Sequence, residues 1–595
     1  MAKQQMKNTA WVSIPNFLLC CFSALLLCGC SNPLTSADSD YGTRPARDRL
    51  RAIDRLDRDK YALPAPEAPP PPTVGEKYTS RFASAPTAEM RLEDARAAVL
   101  ENNLDLRVVL VDPLIQTEGL RAEEAKFEAV FKPFASFQNI DQPTLDTTTA
   151  NQQKLTTFGG EVDVPLRSGG RASVNFSENR SRTNNPFFTA NSAYQSALAF
   201  SLSQPLLRGA GRRANTYSIR IAAYNRDLAE AATKLEIIRQ IANADRAYWR
   251  LYAASKTLEV RQKQYEVGLA QLESAKRRVN AGDAAELEIT RAQSGAASQL
   301  EQIILAEKDL LDQQRELKRL LNIKGLEIDS RTRIIAVTPP DPVRYQFDGP
   351  ALASVGVANR MEMLELELQL AQDYSTIEFN KNQALPLFTL DFQYSIPGLG
   401  TDLGASVDQL AARNFRTWSA SLRGEIPIGN EAAKARVQSA ILTRLQRLST
   451  KEARALSIKA EVLGAVDALD AAWQRILAAR QSVILAARTL EGERHQFDAG
   501  ARTSTDVLDA AARLANEQTS EITALADYQI AQVDLAFATG TLLGDDKIEW
   551  SPRDPRTGKP GSGDPTPFAF PPYETPEGKP GPANPRTGPT PAMHE

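Results

Sequence analysis

The segment Gly500-Ala501-Arg502-Thr503-Ser504-Thr505-Asp506-Val507-Leu508-Asp509 echoes, 218 residues on, the layout of Gly282-Asp283-Ala284-Ala285-Glu286-Leu287-Glu288-Ile289. In both copies a long proline-free helical pattern arrives at Ala-Gly, turns, and leaves as a second helical pattern. A chain written this way folds as a duplicated long-helix hairpin.

The duplication extends upstream. Asn102-Asn103-Leu104-Asp105-Leu106 opens one half and Asn359-Arg360-Met361-Glu362-Met363 the other, followed by proline-headed alternating segments at Lys132-Pro133-Phe134 and Leu385-Pro386-Leu387. Returning segments end at Pro205 and Pro427, 77 and 73 residues before the two turn glycines. Each half therefore reads helix, strand hairpin, helix, helix.

Within the first proline-free block, Ile221, Leu228, Leu235, Ala242 and Trp249 keep a seven-residue repeat beside Tyr224, Ala231, Ile238 and Tyr252. That spacing specifies supercoiled helices packed on one another. From Arg212 to Asn280 only Gly268 interrupts the pattern, so a continuous helix is roughly 100 Å long. Its counterpart runs from about Glu431 to Asp498 and carries Gly464 and Gly492.

The segments between the helices have the other period. Phe388, Leu390, Phe392 and Tyr394 alternate with Thr389, Asp391 and Gln393; Trp418, Ala420, Leu422 and Ile426 alternate with Ser419, Ser421, Arg423 and Glu425; Leu198, Phe200 and Leu202 alternate with Ala199, Ser201 and Ser203. These are strands with one apolar and one polar face. Such strands suit a soluble sheet with a wet face or a membrane barrel. The first hairpin region is longer than the second, 72 residues between prolines against 41, and holds a further candidate hairpin around Ser168-Gly169-Gly170. The insert could lengthen strands, add outer loops or raise the strand count.

Export signals weigh toward the barrel. Lys3 and Lys7 precede an apolar run from Trp11 to Leu27, as in a secretory signal. Leu27-Cys28-Gly29-Cys30-Ser31 resembles the lipobox of bacterial lipoproteins, with Cys30 as the lipidated residue and Ser31 matching the pattern sorted to the outer membrane. The only other cysteines are Cys20, Cys21 and Cys28, so cleavage there leaves no pair for a disulfide and none for metal chemistry. No later apolar run is long enough for a spanning helix, and a closed barrel is the remaining way through a bilayer. One chain offers too few strands to close a lumen, which takes about eight, so several chains must pool theirs.

Composition bounds the rest. A net charge of −3 over 595 residues carries no cationic excess for nucleic acid. His495 and His594 are the only histidines, and no nucleophile elbow or phosphate-binding glycine loop occurs, which leaves enzyme chemistry unsupported. Nine of the 36 prolines lie in residues 31–87 and thirteen in 551–595. We read residues 1–29 as signal, 30–87 as a tether, 88–330 as the first repeat, 331–350 as a linker, 351–545 as the second repeat and 546–595 as a disordered tail.

Phe497-Asp498-Ala499-Gly500-Ala501-Arg502-Thr503-Ser504-Thr505-Asp506-Val507-Leu508-Asp509-Ala510, Ala538-Thr539-Gly540-Thr541-Leu542 and Gln204-Pro205-Leu206-Leu207-Arg208-Gly209 together resemble the TolC-type outer membrane factor family over about residues 88–545. The fold class this implies is mainly α with membrane β: long coiled-coil hairpins forming a periplasmic α-barrel, β-hairpins pooled into an oligomeric outer-membrane barrel, and an internal two-fold repeat. It implies a homotrimer with four strands per protomer and twelve in the barrel, working with a periplasmic adaptor and an inner-membrane transporter. It implies no catalysis and no cofactor beyond the lipid on Cys30.

The resemblance also assigns residues. Asp506 and Asp509 narrow the closed mouth, and their i, i+3 spacing puts both on one helix face; six carboxylates in a trimeric ring repel and favour cations. Thr503 with Asp506, and Asp283 with Glu286, equally read as capping pairs. Arg502 and Glu288 match a tip salt bridge, or an ordinary surface pair. Phe497 stands where the family often has tyrosine, which removes a hydroxyl-mediated lock. Gly282 and Gly500 mark adaptor-docking tips, or simply turns needing positive φ. Two functions follow from these features: an exit duct for efflux or type I secretion, and a coiled-coil lipoprotein that braces the envelope without conducting.

Overall fold

The computed structural model describes residues 78, 84–144, 149–185, 187–188 and 190–548. Cys30, the signal, most of the tether and most of the tail lie outside the described residues. In chain order the elements are β1 (Thr87–Met90), α1 (Leu92–Asn102), α2 (Leu104–Val109), α3 (Asp112–Ala125), β2 (Val130–Asp141), β3 (Gln152–Pro165), β4 (Arg171–Thr183), β5 (Ala193–Pro205), α4 (Arg212–Asn215), α5 (Tyr217–Asn280) and α6 (Leu287–Leu321). The second half continues with β6 (Arg333–Ala336), α7 (Gly349–Asn359), α8 (Met361–Gln383), β7 (Leu387–Gly400), α9 (Leu403–Ala412), β8 (Thr417–Glu425), α10 (Glu431–Asp498), α11 (Ser504–Thr539) and α12 (Leu542–Asp545).

Four helices dominate. α5 and α10 have 64 and 68 residues, which at 1.5 Å per residue makes each about 100 Å long. α5 turns into α6, α10 into α11, and the two hairpins pack on each other through α5 and α11. Their common core is richest at the middle, where Ile241, Tyr248, Leu251, Ile303, Leu310 and Leu317 are buried against α1, β1, β6 and α12. Of the heptad positions read from the sequence, Ala231, Ile238, Ala242 and Trp249 are buried, whereas Ile221, Leu228 and Leu235 are half-covered.

Expectations about the chain's connecting segments change here. Residues 331–350 are not a bare linker: β6 pairs in parallel with β1, Thr87 opposite Arg333 and Met90 opposite Ala336. The start of the expected tail is likewise packed, with Ile548 against the central core. Both short strands cap the middle of the bundle, where the Tyr248 hydroxyl donates to Met90 O at 3.0 Å and accepts from Thr338 N at 2.9 Å.

The second change concerns the sheet. The chain forms one sheet of six antiparallel strands in the order β2-β3-β4-β5-β7-β8, not four strands. The insert is the β3–β4 hairpin, paired to both neighbours along its length. Its turn is held at the helical end, where Gly211 N donates to Ser168 O at 2.9 Å and Ser168 Oγ meets Gln204 Oε1 at 2.8 Å. A hairpin so anchored adds wall, not a loose outer loop.

Register assigns the faces. Phe131, Phe158, Val162, Val174, Phe176, Leu198, Phe200, Phe392, Tyr394, Trp418 and Leu422 fall on one side. On the other, Ser173 meets Ser201 at 2.7 Å, Ser203 donates to Asp391 at 2.6 Å, and Arg423 pairs with Asp391 at 2.7 Å. One face suits lipid and the other suits water.

At the middle, Arg96 holds Asp245 with two bonds of 2.8 Å and Asp546 at 2.9 Å. Burial pushes the Asp546 carboxyl up to about 6, against the pull of Arg96 and helped by the charge of Asp245. Its second oxygen, Oδ2, has no partner among the described residues. A raised carboxyl pKa means the folded state holds more protons than the unfolded one between about pH 4 and 6, so this group's contribution to stability falls as pH rises through that window. Replacing Asp546 with Asn should therefore raise stability at neutral pH by about 1–3 kcal/mol. The fall between pH 4 and 6 should flatten in thermal melts, without vanishing, because burial also raises Asp245.

Candidate functional site: the hairpin tips

The two turns lie side by side at the end of the helices remote from the sheet. Each reverses through a glycine at positive φ, +79° at Gly282 and +78° at Gly500, a backbone region costly for residues with a Cβ. Helix packing brings the tips together: Leu508 of α11 sits against Gly268 of α5 and Gly295 of α6. A Cβ on Gly295 would come within 2.6 Å of Leu508 Cδ1, so a side chain there would push the Leu508 methyl aside.

Two charged side chains of the first hairpin reach the second. Arg278 donates to Phe497 O at 3.0 Å and lies over the Phe497 ring, 4.7 Å from its centroid. Phe497 is in the last turn of α10, where exposed carbonyls give the helix end a partial negative charge. Glu288 accepts from Ser504 N at 3.0 Å, the first residue of α11, where free amides carry the opposite partial charge. Gln271 adds a bond of 3.4 Å to the Ser504 hydroxyl. The first hairpin thus grips both helix ends flanking the second hairpin's turn, each with the charge that end favours.

Partial burial raises the Glu288 carboxyl, but the Ser504 amide, Arg291 at 2.6 Å and the Ser504 hydroxyl outweigh it and hold it below the ordinary glutamate value. Thr503 likewise holds Asp506 below the ordinary aspartate value, through its backbone N–H and its hydroxyl, both at 2.8 Å. Depressed carboxyls keep these contacts at neutral pH and lose them only as acid reaches the lowered values.

The residues read from the sequence fall out unevenly. Thr503 and Asp506 form a capping box, while Asp283 and Glu286 do not: Glu286 precedes α6 in helical conformation with no side-chain cap. Asp509 is exposed, one turn along from Asp506, and makes no hydrogen bond or ion pair with a described residue. Arg502 and Glu288 line one cleft but are not an ion pair within the protomer. Arg502 folds back on its own hairpin, to Glu493 at 3.3 Å and Gln496 at 3.0 Å, and Glu288 is taken by Ser504 and Arg291. Arg278 was not singled out from the sequence; its place four residues before Gly282, in the last turn of a helix, was the available signal.

Among the described residues no cluster of acidic, histidine or cysteine side chains could hold a metal ion. No described helix is long and apolar enough to cross a membrane.

Known proteins place this architecture. The chain is 27% identical over 329 residues to outer membrane protein TolC of Vibrio cholerae, a match covering 54% of this chain and 71% of that one. Its fold matches crystal structures of CusC (TM-score 0.57, 16% identity, 78% of this chain and 95% of that one) and of the Campylobacter jejuni CmeC outer membrane channel (TM-score 0.56, 15% identity, 76% and 86%). Residues 119–322 and 353–541 match the outer membrane efflux protein family. This chain, with its duplicated helical hairpins and a sheet apolar on one face, belongs to the outer membrane efflux protein family, whose members are channels and not enzymes.

Proposed function

We propose that three copies of this chain form an outer-membrane exit duct, anchored by lipid on Cys30, that works with a periplasmic adaptor and an inner-membrane transporter in a tripartite efflux pump or a type I secretion system. The carrying observation is the open six-stranded sheet, whose edges β2 and β8 are both unpaired among the described residues and whose apolar face is exposed along its width. β8 of one copy pairing with β2 of the next satisfies both edges, and three copies give eighteen strands. With strands about 4.8 Å apart and tilted about 40°, the backbone cylinder is about 36 Å wide, against about 24 Å for twelve.

The helices support the same assembly. On α10, Leu442, Leu456, Leu463, Leu477 and Ile484 share one heptad position and are all exposed, Leu456 by 70%. A stripe of that spacing is a coiled-coil seam without its partner in the chain. A neighbouring copy is the natural partner. The domain plan follows: two repeats forming the duct.

The tips then form the gate. The Arg278 and Glu288 contacts hold the second hairpin in, the free carboxylate of Asp509 with that of Asp506 rings the mouth and favours cations, and the Gly282 and Gly500 turns present the tips to an adaptor. The bracing-lipoprotein reading gives no role to a polar-faced sheet or an acidic tip.

Planar-bilayer recording of the purified trimer should give a low, cation-preferring conductance. Arg278→Ala and Glu288→Ala should each raise it several-fold, and Asp506→Asn with Asp509→Asn should abolish the cation preference. Silence from the parent and every variant would exclude a duct. Acid should act like Glu288→Ala, raising conductance only below the ordinary carboxylate range. For the barrel seam, a cysteine in place of Ser136 on β2 combined with one in place of Ser419 or Ser421 on β8 should yield covalent trimers on a non-reducing gel. Monomers from every register would remove the eighteen-stranded cylinder.

A further inference from the structure

Resting on the membrane placement of the sheet just proposed, we propose that Lys154, Arg180 and Arg182 form a binding site for the phosphate groups of an outer-leaflet glycolipid. The three lie at the end of the sheet remote from the long helices. Register sets Lys154 of β3 directly opposite Arg182 of β4, and Arg180, opposite Thr156, is on the same face two residues along. That face also carries Phe158, Phe176 and Val174, so the cations crown the lipid-facing surface and not the lumen.

Their depth fits a headgroup. Ala172, where the apolar face of β4 begins, is eight residues from Arg180, about 26 Å along the strand and about 20 Å along the membrane normal after tilt. The apolar band of such barrels is about 25 Å tall. Arg180 and Arg182 stand where acyl chains give way to phosphates.

The cluster is electrostatically incomplete. Like charges directly opposite on paired strands destabilise a sheet, yet no described carboxylate pairs with any of the three. Glu178, next along the same face, is fully buried beneath α9, with its oxygens engaged by the hydroxyls of Ser196 and Ser406. Asp141 of β2 is diagonal to Lys154 and accepts from Gln152 Nε2 at 3.4 Å. Lys154 and Arg182 are exposed, and their side chains make no hydrogen bond with a described residue. Arg180 lies over Tyr194, 5.4 Å from the ring centroid, and donates to Ser192 Oγ at 3.4 Å. That stacking leaves most of its guanidinium donors free to fork onto phosphate oxygens.

A phosphate with acyl chains suits this surface better than a free anion. The site is flat and open, so a small ion would leave three cations mostly to water. A lipid phosphate is held beside them by chains lying on Phe137, Phe158 and Phe176, all exposed on the same face. Closure of three copies repeats the site three times.

Native mass spectrometry of the full-length trimer tests this with three probes: bis-phosphorylated lipid A, the same lipid with its phosphates removed, and inorganic phosphate. The parent protein should retain the bis-phosphorylated lipid about tenfold better than the dephosphorylated one, up to three copies per trimer. K154Q/R180Q/R182Q should lose that preference, and each single variant should weaken it in part, which keeps the test intact if the triple variant fails to insert. Equal binding of the two lipids, equal binding by parent and variants, or displacement of the lipid by low-millimolar phosphate would each overturn the site. Bilayer current recorded on the same samples separates the two readings, since a conducting parent indifferent to lipid phosphate removes this site and leaves the duct standing.

Discussion

Each unsatisfied backbone N–H or C=O left in hydrocarbon costs several kcal/mol, and the protomer ends in two rows of them along β2 and β8. Neither edge is covered by a described helix, and both strands carry apolar residues, Phe131 and Phe137 on β2 and Trp418 and Leu422 on β8, that are exposed in the single chain. The α10 stripe is the same incompleteness in the helical part. An assembly that closes one also closes the other, because β8 runs through Ile426 into α10 with no intervening element. In the proposed assembly the membrane wall and the helical tunnel are therefore completed by one set of neighbouring copies.

What was legible in the sequence was periodic. α10 begins and ends at Glu431 and Asp498, where the proline-free pattern begins and ends, and β7 and β8 follow their alternation. β1 and β6 were not legible, since four-residue strands show no period and their pairing spans about 246 residues. The inserted hairpin was half legible. The turn at Ser168-Gly169-Gly170 announced a hairpin, but Gly159-Gly160 and the buried Glu178 interrupt the alternation of its strands, and nothing local says whether a hairpin joins a sheet or stands outside it. Only the register with β2 and β5 decides that it widens the wall.

The tip divides the same way. The Thr503–Asp506 box is a contact across three residues and could be read directly. Glu288 with Ser504 and Arg278 with Phe497 span 216 and 219 residues, and their partners are backbone groups, which carry no residue-type signal. The family resemblance assigned Arg502 as the cross-hairpin cation; Glu493, nine residues earlier, engages it instead. The cation that crosses is Arg278, in the last turn of a helix that already packs on the second hairpin.

The direction of those two contacts has a mechanical consequence. Both belong to the first hairpin and grip only the ends of α10 and α11, while the second hairpin's turn is closed by its own bonds, Ala501 N to Gln496 O at 2.8 Å and the Thr503–Asp506 box. Swinging the second hairpin outward therefore breaks the Arg278 and Glu288 contacts together and leaves the turn folded. Each is a charge against a helix end, an interaction of about 0.3–1 kcal/mol when exposed and up to about 2 when partly buried. In the proposed trimer three such pairs would have to give way, so a closed mouth would hold against single fluctuations yet yield to a partner that binds the open tips better by a few kcal/mol.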